Sequence, residues 1–120
     1  MPVRLRPAEP SVVQPALGRF RSGAADKADL RVLVKHLLAR LAEKAPGGAV
    51  EIRVPPYAVA QAVGGTTHKR GTPPAVVETD AETWIRLALG ELSWAEAAAA
   101  GTVRASGERS DLSPLLPLEP

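Results

Sequence analysis

The hydrophobic period of this chain changes at Pro46-Gly47-Gly48, and that change sets the fold class. Before it, Leu30, Leu33, Val34, Leu37, Leu38 and Leu41 recur at steps of three and four, so they share one face of a helix that starts near Asp26. Asp26 and Asp29 near its start and Lys44 near its end suit the helix dipole. After the break, Val50, Ile52 and Val54 alternate with Glu51 and Arg53, the mark of a strand with one wet face. Both periods in one short chain, with no internal repeat, define an α+β domain.

The remaining punctuation predicts the other elements. Pro55-Pro56 ends the first strand, and Tyr57, Val59, Gln61 and Val63 continue as a second with those residues on one face. Gly64-Gly65 reads as a hairpin turn into a polar third strand, Thr66 to Arg70. A break over Gly71-Thr72-Pro73-Pro74 precedes a fourth strand, Ala75 to Thr79. Thr79 and Glu82 have capping-box spacing, with Asp80 as a competing cap, and open a helix through Trp84 and Leu87 that Gly90 stops. Ser93 and Glu96 form a second box, whose helix ends at Gly101. A fifth strand over Thr102 to Ala105 and a short helix over Ser110 to Leu116 complete the order α-β-β-β-β-α-α-β-α. The expected fold is a five-stranded mixed or antiparallel sheet covered on one face by helices, a single domain over residues 26–120. Residues 1–25, with Pro2, Pro7, Pro10 and Pro15, read as an extended arm.

Composition narrows the chemistry. With no cysteine, disulfides, thiolate nucleophiles and Cys-ligated metals are excluded. His36 and His68 stand on different elements without supporting carboxylates, so no metal centre is expected; His36 falls away from the leucine stripe and reads as a solvated surface group. No nucleophile elbow, phosphate loop or dinucleotide fingerprint is present, so no catalytic residues and no cofactor are expected. A net charge of +2 without a clustered basic face argues against nucleic acid. Neither a signal peptide nor a membrane-spanning stretch is read, so a cytoplasmic location is expected. Aromatic residues are few (Phe20, Tyr57, Trp84 and Trp94), so Leu, Val, Ile and Ala must fill the interior. Thin walls of that kind either collapse together or leave room.

Several motifs carry a resemblance. Gly90-x-Leu92, Ala97, Gly101, Val103 and Gly107, followed by a leucine-bearing tail, resemble the C-terminal half of sterol carrier protein domains. Val54-Pro55-Pro56-Tyr57, His68-x-Arg70-Gly71-Thr72-Pro73-Pro74 and Val77-Glu78-Thr79-Asp80 are similar to a small bacterial branch of that family, of actinobacterial type. The resemblance implies a curved five-stranded sheet with an apolar tunnel beneath its helices, holding a fatty acid, acyl-CoA or sterol-like molecule. Ala98 and Ala99 replace bulky aromatics of many relatives, which implies a wider tunnel or rearranged leucines.

The side chains expected to face such a ligand are Leu37 and Leu41 of the first helix, Val59 of the sheet, and Trp84, Leu87 and Ala88 of the middle helix, with Trp94, Leu115 and Leu116 at the mouth. His68 and Arg70 share a strand face from which they can clasp an anionic head group. The function expected is non-catalytic lipid binding or carriage, with an apolar small molecule as the partner. The alternative is a structural or interaction domain of the same fold without a cavity, meeting a protein partner or a second copy of itself. An enzyme or enzyme accessory is a third reading.

Overall fold

The computed structural model describes residues 5–64, 75–107 and 109–118. The order is α1 (Pro10–Arg21), α2 (Lys27–Lys44), β1 (Val50–Val54), β2 (Ala58–Ala62), β3 (Ala75–Thr79), α3 (Ala81–Leu89), α4 (Trp94–Ala100), β4 (Val103–Ser106) and a 3₁₀ turn (Ser113–Leu115). The expected third strand, Thr66 to Arg70, and Gly65 of the turn before it lie outside the described residues, among which the sheet has four strands rather than five.

The first correction concerns residues 1–25. Their prolines suggest an extended arm, yet Pro10 to Arg21 is helical. Pro10 occupies the first turn, where a missing N–H costs nothing, and Pro15 forfeits one internal hydrogen bond. Burial of Val13, Ala16 and Leu17, which share one face, offsets that loss. The helix packs on α2, and its end is tied down by Arg19, whose Nε and Nη2 donate to the two Asp29 carboxylate oxygens at 2.8 Å each.

Asp29 has a second duty. Asp26 accepts the Asp29 N–H at 2.8 Å and Asp29 accepts the Asp26 N–H at 3.2 Å, a capping box that starts α2. The Arg19 guanidinium, the principal cause, and the Asp26 N–H hold the Asp29 carboxyl down to about 2. Because α2 lies between α1 and the rest of the helical layer, it is buried on more than its leucine face: His36 and Ala39 are buried too.

The sheet order is β2-β1-β3-β4, with β1 antiparallel to β2, parallel to β3, and β3 antiparallel to β4. Val50, Ile52 and Val54 are fully buried towards the helices, while Arg53 is exposed and Glu51 half-buried on the other face, as the alternation predicts. Their partners on the helix side are Ala62, Ala60 and Ala58 on one flank and Ala75 and Val77 on the other. A one-residue slip would turn all of these outward.

Helix α3 starts at Asp80, not Thr79. The Asp80 carboxylate accepts the Thr83 N–H at 2.8 Å and its hydroxyl at 2.9 Å. Thr79 is the last residue of β3, where its hydroxyl donates to the Thr102 carbonyl at 2.8 Å. Strand pairing has claimed the residue that the motif would have used as a cap. The Ser93–Glu96 box does open α4, and Gly90 and Gly101 end their helices at φ 79° and 76°. The expected final helix shrinks to the 3₁₀ turn, since Pro114 and Pro117 limit continuous helix there.

Candidate functional site

Five of the six side chains expected behind the sheet pack together. Leu37 and Leu41 from α2 and Trp84, Leu87 and Ala88 from α3 belong to one apolar cluster, each at most 1% exposed. They arrive there because both helices turn a wide apolar arc to the same sheet face. The Trp84 indole N–H is buried and has no acceptor among the described residues, an uncompensated polar group in an otherwise apolar interior.

Val59 is a correction. It is 54% exposed and pairs with Arg53 on the sheet face away from the helices. The cause is one residue of loop length. Val54 pairs with Ala58, and the Tyr57 N–H donates to the Val54 carbonyl at 2.9 Å, so three residues rather than two join the strands. Cross-strand partners share a face, so the even-numbered residues of β2 follow Val54 inward and Val59 turns out. There it lines a shallow apolar depression of about 300 Å³ with Pro55, Pro56, Tyr57 and Ala58.

Two of the three residues expected at a ligand mouth share a surface groove. Trp94 of α4 and Leu116 of the tail line one open groove of about 400 Å³ with Leu87, Leu92 and Pro117. Leu115 is half-buried nearby, and its carbonyl accepts a bond from the Lys44 ammonium at 2.8 Å. Leu92 and Pro117 were not expected as lining. Pro117 is brought in by the tail, whose Leu118 N–H donates to the Ala88 carbonyl at 2.7 Å and which lies against Gly90. A second groove of about 460 Å³, on the α2 side of Pro117, is more polar and is lined by Arg40, Glu43, Lys44 and Leu118. Ala97 is buried, but Ala98 and Ala99 are exposed, so they widen no tunnel. His68 and Arg70 lie outside the described residues.

Around the groove the charges are already engaged. Glu91 accepts from Arg21 of α1 at 3.2 Å, and Glu96 is taken up in the Ser93 box. His36 departs from its expected place in solvent: it is 6% exposed, because the segment before α1 covers that side of α2. Its Nδ1 accepts the Ala8 N–H at 2.9 Å, and burial, aided by the nearby Arg40 charge, moves its pKa below the ordinary imidazole value. Among the described residues, no three His, Asp or Glu side chains are grouped to hold a metal ion, and no helix is long and apolar enough to cross a membrane.

A mixed sheet with helices on one face and an apolar interior between them define an α+β domain. Residues 26–118 match the family model described as bacterial SCP ortholog, and the chain belongs to that family of bacterial sterol carrier protein-like proteins. Helix α1 precedes the matched span. Among curated proteins, none matches the chain significantly.

Proposed function

We propose that this protein is a non-catalytic carrier of an apolar ligand, which enters at the groove bounded by Leu87, Leu92, Trp94 and Leu116. The observation that carries the reading is that this groove, in a member of the bacterial sterol carrier protein-like family, shares Leu87 with the buried cluster of Leu37, Leu41, Trp84 and Ala88. Its volume of about 400 Å³ falls within the ~300–1,000 Å³ of small-molecule sites. An unbranched acyl chain tolerates a narrow, irregular channel better than a rigid ring system does, so a fatty acid or acyl-CoA is the preferred occupant over a sterol.

The test is a titration with a fluorescent fatty acid beside a sterol analogue. Saturable binding of the fatty acid at micromolar concentration is expected, weakened by Trp94→Ala and kept by Leu87→Met, a near volume-conserving change. Saturation by neither probe defeats the carrier reading. A ligand-free interaction domain is the second reading; the solid packing of Leu37, Leu41, Trp84 and Ala88 favours it.

A further inference from the structure

His36 is a buried titratable group that carriage of a ligand does not use. Its two ring nitrogens are in opposite situations: Nδ1 accepts the backbone N–H of Ala8 at 2.9 Å, whereas Nε2 is buried without a partner among the described residues. The accepting Nδ1 must be unprotonated, so the ring is neutral with its hydrogen on Nε2. Adding a proton places an N–H on Nδ1 against the N–H of Ala8, donor facing donor. It also creates a cation in a site that is 6% exposed. Of the charges acting on the ring, Arg40 opposes protonation and Glu43 favours it, and both belong to α2. Among its described residues, the N-terminal segment offers the ring only the Ala8 N–H, with Arg6 and Glu9 exposed on either side of it.

The other end of the same segment is held differently. Arg19 grips Asp29 through two 2.8 Å bonds, and the Asp29 carboxyl, held down to about 2, stays ionised in mild acid. One attachment therefore rests on an imidazole that must stay neutral, the other on a carboxylate that stays charged. We propose that His36 is an acid-sensitive latch: its protonation releases residues 5–13 from α2, while the Arg19–Asp29 pair keeps the far end of α1 in place as a hinge. Linkage sets the size of the effect: each unit by which docking lowers the His36 pKa gives up to roughly tenfold in the docking equilibrium. The device stands whether or not the groove takes a lipid.

Hydrogen–deuterium exchange of the full chain at about pH 7.5 and about pH 5, with labelling times scaled to equal intrinsic exchange, tests it. Residues 5–13 should lose protection several-fold at the lower pH, while β1 and α3 keep theirs. His36→Gln, whose side-chain carbonyl accepts from Ala8 without titrating, should keep residues 5–13 protected at both. Unchanged protection of residues 5–13 in the parent, a loss spread equally over β1 and α3, or the same acid loss in His36→Gln overturns the latch. The parent protein alone gives a second reading that needs no variant. The Ala8 amide resonance should shift with the midpoint of the His36 imidazole, and one that stays flat through that titration overturns the proposal.

Discussion

Replacing Gly101 and Gly90 by alanine separates two costs that most helix ends mix. Both glycines cap their helices in the left-handed region, at φ 76° and 79°, where a Cβ costs ~1–2 kcal/mol. At Gly101 an added Cβ meets nothing within 4 Å, so the backbone term stands alone. Up to ~1 kcal/mol of it returns through the reduced freedom of the unfolded chain, which leaves ~1 kcal/mol and a fall in Tm of roughly 4 °C for a domain of this size. At Gly90 the Cβ would lie 3.1 Å and 3.2 Å from Cβ and Cγ of Pro117, inside the ~3.5–4.0 Å of a comfortable carbon contact. Pro117 cannot simply withdraw, because Leu118 beside it is buried and bonded to Ala88. Overpacking of this kind adds ~1–3 kcal/mol. Thermal melts followed by far-ultraviolet circular dichroism should therefore rank parent, Gly101→Ala and Gly90→Ala in falling order. A Gly101→Ala protein that melts with the parent refutes the left-handed cap argument. A Gly90→Ala protein no less stable than Gly101→Ala refutes the seating of the tail on α3.

The register of the sheet makes a second contrast, read by urea unfolding: Ile52→Ala should cost ~2–5 kcal/mol, whereas Val59→Thr on the outward face should stay within ~0.5 kcal/mol. Comparable losses at the two sites would show that β2 does not turn Val59 outward. Stability should also fall on the acid side through two groups. His36 has a folded pKa below its ordinary 6.5, so its share is complete above about that pH and is lost as pH falls through the folded value; His36→Gln should remove this limb. Asp29, lowered from 3.8 to about 2, contributes fully above the first value and loses its share as pH falls through the second. A His36→Gln protein that keeps the upper limb would assign that limb to another group.

The elements with a clean period were legible in the sequence. The leucine spacing gave α2, the Val50-Ile52-Val54 alternation gave β1 with its faces, and the spacing of Ser93 to Glu96 gave the start of α4. These succeed because one residue's environment predicts the next through the geometry of a single element. Val59 fails because its face depends on the number of residues between two strands, and a three-residue connection inverts what a two-residue one predicts. Helix α1 fails because proline content weighs against it locally, while its support comes from burial on α2 and from Asp29, neither of which local propensity contains. His36 follows from that second miss: its face of α2 is wet only while the segment before α1 has no assigned place.

The candidate site follows the same division. Leu37, Leu41, Trp84, Leu87 and Ala88 come together because each lies on the apolar arc of a periodic helix, and two such arcs facing one sheet must converge. The groove beside them is set by the tail, which has no period to read. Its leucines alternate in fate: Leu112 and Leu118 are buried, whereas Leu115 and Leu116 are only half-buried around the 3₁₀ turn. Anchored at both ends and looser between them, the tail places Leu116 and Pro117 over the edge of the helical layer beside Trp94 and Leu92. A ligand that uses this groove therefore competes for the half-buried residues before it meets the packed ones. Its affinity should accordingly respond more to Trp94, Leu92 and Leu116 than to Leu37 or Leu41, whose truncation would mainly lower stability.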